Sequence, residues 1–344
     1  MNIIVDIRHP GHVHFFKNFI WEMNKLGHNI LITAKDKDIT YELLNNYGFN
    51  YEKIGKNHVS IIKKLLEIII DDLKMIRIAL NFKPDLFFGL ASYRAAHASF
   101  ILRKKCINFD DTEHSTYEQW VYLPFTDMVF TPNSFLKNLG KKQIRYNGFH
   151  QLAHLHPKYF KPDEKILKKL NIKNDEKFFF IRFIAWEAGH DLGHKGLNYE
   201  NKIRLIQTLE KYGKVFINTE KKMPNEFEKY KPNIKPEELH SALYFAHLVI
   251  SEGGTTATEA AVLGTPTIHF SSTGKYCGLF KDLHDNYGLI YVIENPEELF
   301  KLLEDLLKDK LLKNKYIDRR AKLLKEKISP TDLMIQYVSK FKSD

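Results

Sequence analysis

The sequence predicts an α/β protein made of two doubly wound domains in tandem, with the carboxyl ends of both parallel sheets facing a shared cleft. Short apolar runs alternate with amphipathic helical ones from the first residues onward, which is the rhythm of a parallel sheet covered on both faces. That rhythm breaks between Gly148 and Asp163, where Pro157 and Pro162 fall and apolar periodicity is lost, and then restarts. The chain's 344 residues, 44% of them hydrophobic, favour two cores over one. The expected divisions are 1–148 for the first domain, 149–163 for a linker, 164–328 for the second domain, and 329–344 for a terminal helix packing back on the first.

In the first half, Ile3–Asp6, Asn29–Thr33, Asp85–Gly89, Lys105–Phe109, Met128–Thr131 and Ile144–Tyr146 read as strands, with Val13–Leu26 and Ile39–Tyr47 as helices. The longest apolar-rich segment, Ile61 to Phe82, is interrupted by Lys63, Lys64, Glu67, Asp71, Asp72, Lys74 and Arg77. No bilayer-spanning helix tolerates that charge, so it reads as an amphipathic helix half buried on a sheet. In the second half, Lys177–Phe183, Lys214–Asn218, Leu248–Ser251, Thr267–Phe270 and Leu289–Val292 read as strands. Asn201–Tyr212, Pro236–Ala246 and Thr255–Leu263 are the helices between them.

Composition narrows the classes. Cys106 and Cys277 are far apart and in no ligand-like spacing, so neither a disulfide framework nor a zinc site is expected. Met1 to Asp6 forms a strand rather than a secretory leader, and the expected location is the cytoplasm. The formal net charge is +10, and Lys301 to Lys327 alone holds ten Lys or Arg against five Asp or Glu. This surplus reads as a solvated helix face or as peripheral contact with an anionic membrane. Nucleic acid is not expected, because no basic stripe is interleaved with aromatics.

The most informative stretch is Leu248 to Phe270, a buried strand, a glycine turn, a helix opening and a second strand. Gly253 and Gly254 lack Cβ atoms, so a diphosphate can approach the backbone, and the helix starting near Thr255 offers free N–H groups and a positive dipole end. Thr256 and Thr258 add hydroxyls, and Glu259, one turn in, suits the two hydroxyls of a ribose. Thr256-x-x-Glu259 also fits a capping box, whose residues merely satisfy backbone donors. Arg182 at a strand end suits a diphosphate, Trp186 a ring, and His190 with Asp191 an oriented imidazole or a loop contact.

In the first domain, Gly11-His12 follows the first strand and places an imidazole at the sheet's carboxyl edge, where it can touch phosphate or serve as a base; His9 and His14 are weaker candidates. Asp110, Asp111 and Glu113, followed by His114, form an acidic loop at another strand's carboxyl end. Carboxylates crowded there raise one another's pKa values, so these three are the general-base candidates, against a solvated loop with a helix cap. His150, His154 and His156 resemble a metal cluster but read as packing between domains, and no metal is expected at His12-x-His14 either.

With these parts in place the chain resembles the GT-B glycosyltransferases, two Rossmann-like domains across a cleft. Gly11-His12-Val13, Gly253-Gly-Thr-Thr-Ala-Thr-Glu259 and Gly264-Thr-Pro266 are similar to the corresponding turns of the peptidoglycan N-acetylglucosaminyltransferase. The sugar-nucleotide 2-epimerases share a similar glycine element and an acidic catalytic loop where Asp110–Glu113 falls. Over nearly its whole length the chain resembles the domain of unknown function 354 family, through Asp6 to Asn18, Phe109 to Glu113, Tyr146 to His150, His154 to Pro157 and Glu259 to Pro266. That family tends to have an Asp-Ser-Gln-Thr-Met-type turn where Glu252-Gly-Gly-Thr-Thr256 stands here, which makes this turn more transferase-like.

The resemblance implies a metal-independent glycosyltransferase. It would move a sugar from a nucleoside diphosphate such as UDP to a cell-surface glycan or lipid-linked acceptor, with the nucleotide sugar as substrate and no cofactor. Gly253, Gly254, Thr255, Thr256, Glu259 and Arg182 would hold the donor, with His9, Trp186 and His190 as further binding residues and His12, Asp110, Asp111 and Glu113 as catalytic candidates. The alternative is a sugar-nucleotide 2-epimerase, hydrolysing or not. A non-catalytic sensor would have no use for the acidic loop.

Overall fold

The computed structural model describes all residues except 57–60, 114, 174, 185–195, 220–222, 273, 275–276 and 342–344, and, of 56 and 61–67, the backbone. It divides into two compact units, one of Met1–Tyr159 with Ile328–Asp344 and one of Phe160–Lys327.

In the first unit the chain runs through β1 (Asn2–Ile7), α1 (Pro10–Lys25), β2 (Asn29–Asp36), α2 (Thr40–Asn46), β3 (Tyr51–Lys56), α3 (Ile61–Phe82), β4 (Leu86–Leu90), α4 (Tyr93–Ile101), β5 (Lys105–Phe109), α5 (Thr116–Tyr122), β6 (Met128–Pro132), β7 (Gln143–Tyr146) and α6 (Leu152–Leu155). The seven strands are parallel, in the order β3-β2-β1-β4-β5-β6-β7. Side chains alternate along each strand, and both faces are apolar. Ile3, Val5 and Ile7 join Phe15, Phe16 and Phe19 of α1 in one core. Ile4 joins Phe87, Cys106, Met75 and Ala95 in the other. Phe149, Leu152, Ala153 and Leu155, within the stretch expected as linker, are buried, and Ala153 belongs to the α1 core. A four-residue helix is too short to show apolar periodicity in a sequence.

The second unit runs through α7 (Lys165–Lys169), β8 (Phe178–Phe183), α8 (Tyr199–Glu210), β9 (Lys214–Thr219), α9 (Leu239–Phe245), β10 (Leu248–Ser251), α10 (Gly254–Val262), β11 (Thr267–Phe270), α11 (Gly278–Asp285), β12 (Tyr291–Ile293), α12 (Pro296–Lys308) and α13 (Leu312–Glu326). Its five parallel strands take the order β12-β11-β10-β8-β9. The last helix, α14 (Pro330–Phe341), rejoins the first unit, where Met334 and Val338 enter the α1 core.

Each sheet has one place where the winding reverses, between β1 and β4 in the first and between β8 and β10 in the second. In open α/β sheets ligands bind at the carboxyl ends of strands at such a reversal. Gly11 and His12, which lie in the first turn of α1 rather than before a helix starting at Val13, stand at the first reversal, and the Gly253-Gly254 turn stands at the second.

Candidate functional site

The second unit's turn follows β10 directly. Gly253 is the N-cap of α10, and the first helical bond runs from the Ala257 N–H to the Gly253 carbonyl at 3.2 Å. Having no side chain, Gly253 caps nothing, so the N–H groups of Gly254, Thr255 and Thr256 have no intrahelical acceptor and point out of the helix start. The capping box is therefore not formed: Thr256 is the third helical residue rather than the cap. Thr255 is exposed, Thr256 is buried, and Thr258 turns its hydroxyl back onto the Gly254 and Thr255 carbonyls at 3.0 and 2.9 Å.

Glu259 is 4% exposed, and its Oε1 lies 3.2 Å from Nε2 of His240 on α9. Arg182 stands on β8 at the register of Ser251 and donates to Asn218 on β9. Glu252 is a group the sequence did not single out. Its buried carboxylate accepts N–H bonds from Ile184 at 2.9 Å and Leu197 at 2.8 Å and faces Lys202 at 3.6 Å. Burial pushes its pKa up against those partners. It thus ties the end of β8 to the turn. Trp186 and His190 lie outside the described residues.

At the reversal in the first unit, His9 caps α1 by accepting the Gly11 N–H at Nδ1, 3.1 Å away, and Pro10 follows where no donor is needed. His12 is half buried, and its Nδ1 faces the Arg8 N–H at 3.5 Å. An acceptor at Nδ1 leaves the proton of the neutral ring on Nε2. Burial, then Arg8, His9, Lys37 and His150, hold its pKa well below the usual histidine value. His12 is therefore neutral at physiological pH and suited to donate from Nε2. Arg8 donates to the Ala91 carbonyl at 2.8 Å, and Ala91 sits in the left-handed region at φ 46°, a strained backbone of the kind found at functional sites.

The acidic loop after β5 splits into three environments. Asp110 is 1% exposed and accepts from Thr112 N–H at 2.9 Å, Gln119 at 3.2 Å and Tyr122 hydroxyl at 2.7 Å. Burial raises its pKa despite those bonds. Glu113, 9% exposed, accepts the Leu136 N–H at 2.9 Å. Asp111 is the accessible one, its side chain 23% exposed, with Oδ2 3.0 Å from Nδ1 of His150. Burial alone would raise the Asp111 pKa, but the charge and hydrogen bond of His150 outweigh it and hold the carboxyl low. His150 is 5% exposed and its ring lies against Phe15 at 4.8 Å. The structure brings Asp111 and His150 together across 39 positions of sequence, a pairing that only tertiary structure shows. His114 lies outside the described residues.

Residues 1–341 match the family described as "Protein of unknown function (DUF354)". The chain belongs to that family. A relative of this DUF354 protein, the uncharacterized protein MJ0665 of Methanocaldococcus jannaschii, is 25% identical over 99% of this chain and 98% of its own. Among solved structures, UDP-GlcNAc 2-epimerase of Neisseria meningitidis bound to UDP-GlcNAc superposes with a TM-score of 0.66 at 12% identity over 100% of both chains. The glycosyltransferase VinC, in complex with dTDP, gives 0.66 at 11% identity, again over 100% of both. At these identities the likeness is one of fold, the GT-B fold that the sequence predicts. No helix among the described residues is long and apolar enough to cross a membrane.

Proposed function

We propose that this DUF354 protein is a glycosyltransferase that takes a sugar from a nucleoside diphosphate donor and passes it to a hydroxyl of a glycan or lipid-linked acceptor. One observation carries the proposal. The Gly253-Gly254 turn stands at the reversal point of the second sheet and opens α10 without a capping side chain, leaving oriented N–H donors for an anion. The solved structures of this fold that hold UDP-GlcNAc or dTDP support the choice of a nucleotide as the anion's carrier.

The α10 dipole, with Arg182 on the adjoining strand, stabilises the diphosphate as it leaves, so no metal ion is invoked. Asp111 is assigned as the base. It is the carboxylate of its loop that solvent reaches, and His150 fixes its orientation and keeps it ionised, ready to take the acceptor's hydroxyl proton. His12, at the start of α1 at the same sheet's reversal point, is assigned as a hydrogen-bond donor. Asp110 and Glu113 shape the loop through their bonds to Tyr122, Gln119 and Leu136. Glu259, buried against His240, is assigned to holding α10 on α9 rather than to the ribose.

This division of labour favours transfer over 2-epimerisation, because an epimerase must take and return a proton, whereas one accessible carboxylate suits a single deprotonation. Of the ten basic residues between Lys301 and Lys327, Lys313, Arg319, Arg320 and Lys322 are bonded to backbone carbonyls within the second unit, so any peripheral attachment to an anionic membrane would rest on the others, of which Lys301, Lys310 and Lys325 are exposed. The test is incubation with UDP-, GDP-, CMP- and dTDP-sugars, with and without glycan acceptors. A transferase releases nucleotide chiefly when acceptor is present. Acceptor-independent conversion to the 2-epimer would establish the isomerase instead.

A further inference from the structure

Beside the Gly253-Gly254 turn lies a histidine that neither the sequence pattern nor the proposed reaction uses. His269 occupies β11 opposite Ser251 of β10 and is 3% exposed. Its Nδ1 is 2.9 Å from the Ser251 carbonyl, and its ring stacks on Phe280 of α11 with centroids 4.6 Å apart and planes 20° apart. A carbonyl only accepts, so Nδ1 carries a hydrogen, and the stack fixes the ring. Nε2 then lies beside Gly274, on the loop after β11, and Gly254 of the turn. A Cβ on Gly254 would lie 4.0 Å from it and one on Gly274 3.4 Å, and it has no hydrogen-bond partner among the described residues.

In the neutral ring that nitrogen is a bare lone pair, which repels a phosphate oxygen; protonated, it is a charged donor aimed at the place where the oxygen would sit. We propose that His269 binds the donor's diphosphate as an imidazolium, so that each sugar nucleotide enters with a proton from solvent. The inference rests on the donor reading above and adds a residue and a pH dependence to it. Burial keeps the free ring below the ordinary histidine pKa, partly offset by the Ser251 carbonyl, so the unliganded ring is neutral at physiological pH. Among the described residues the groups packed around it carry no charge: Ser251 from β10, Gly254 from α10, Gly274 from the loop after β11, Phe280 from α11 and Val292 from β12. Glu252, next after Ser251, has its carboxylate committed to Ile184, Leu197 and Lys202. An arriving dianion is thus the charge that raises the pKa of His269, and a diphosphate esterified at both ends does not itself titrate near neutrality.

Calorimetric titration of the full chain with UDP-N-acetylglucosamine, and separately with dTDP-glucose, reads this in buffers of different ionisation heat. At pH 7.5 the wild type is expected to take up a substantial fraction of one proton on binding. Between the free and bound pKa values its affinity falls up to about tenfold per pH unit as pH rises. His269→Gln is expected to bind more weakly, with no proton uptake and a flat pH profile. Binding by the wild type without proton uptake, or uptake retained in His269→Gln, overturns the role of His269 while leaving the donor reading intact. If neither sugar nucleotide binds, the donor reading fails for both and this inference with it. Should His269→Gln not fold, nitrogen NMR of histidine-labelled wild type gives the same answer. One imidazole moves to the doubly protonated shift on addition of ligand, and no such movement overturns the proposal.

Discussion

Asp110 and Asp111 are neighbours in sequence and opposites in surroundings, and the assignment of the base depends on that contrast. Asp110 is sealed under Tyr122 and Gln119, whereas Asp111 meets solvent with His150 at its back. Asp111→Asn is expected to lower turnover at least ~100-fold while donor affinity stays near normal, because a base acts only in the reaction. Asp110→Asn should instead cost roughly 1–3 kcal/mol of stability through a weakened buried network. Kinetics and denaturant midpoints on both variants decide it, and the reverse pattern would transfer the role to Asp110. The sequence marks the loop as chemical but does not separate its carboxylates, since the partners that distinguish them lie up to 39 residues away.

At the scale of elements, the basic surplus near the C-terminus has a structural use. Helix α13 lays cations across the carboxyl ends of three helices: Lys313 donates to the carbonyls of Tyr244, in the last turn of α9, and Ala246, just after it, Arg320 to Val262 of α10, and Lys322 and Arg319 to Asn286 and Gly288 beyond α11. Helix carboxyl ends carry unpaired carbonyls and negative partial charge, so each contact both satisfies a backbone group and complements a dipole. Lys and Arg counts alone cannot distinguish this from a solvated face. The α10 end depends on Gly264, at φ +79°, where a Cβ would lie 2.7 Å from Arg320 Cδ. Gly140 has a similar φ of +85° but open space around it. Gly264→Ala is therefore expected to cost more stability than Gly140→Ala, which carries only the backbone penalty of ~1–2 kcal/mol. Equal losses in urea denaturation would show that Arg320 does not pack there. The edge strand β3 escaped the sequence reading because Tyr51-Glu-Lys-Ile-Gly-Lys56 has too few apolar residues to signal a strand. The central strands, apolar along their length, were legible.

Across the described residues, three histidines held low by burial contribute to the response to acid. His247 is pushed down to about 4 by burial, with Lys177 and Lys313 adding to it, and His12 and His269 are also held low. The unfolded chain protonates these rings near pH 6.5 and the folded one does not, so the stability they confer is present above pH 6.5 and is lost as pH falls toward 4. His97 opposes this: burial lowers it, but its bond to Asp72 raises it overall. Denaturant midpoints should fall between pH 6.5 and 5, and His247→Gln should flatten the slope; a midpoint independent of pH there would show that these rings protonate in the fold. The two-domain architecture and the glycine turn follow from apolar rhythm and local spacing. The pairings that assign chemistry, His150 with Asp111 and His269 with the turn, arise only when strands distant in sequence lie side by side. The central claim is that the Gly253-Gly254 turn receives the diphosphate of a sugar nucleotide, and it is tested most directly by calorimetry of wild type and Gly254→Ala with UDP- and dTDP-sugars. The added methyl would stand 3.1 Å from Phe280 Cζ and 4.0 Å from His269 Nε2, at the opening of α10. The account predicts that the wild type binds at least one of these donors and that the folded variant binds it at least ~10-fold more weakly, about 1.4 kcal/mol. Equal affinity in the two proteins, or no binding by the wild type, would contradict it.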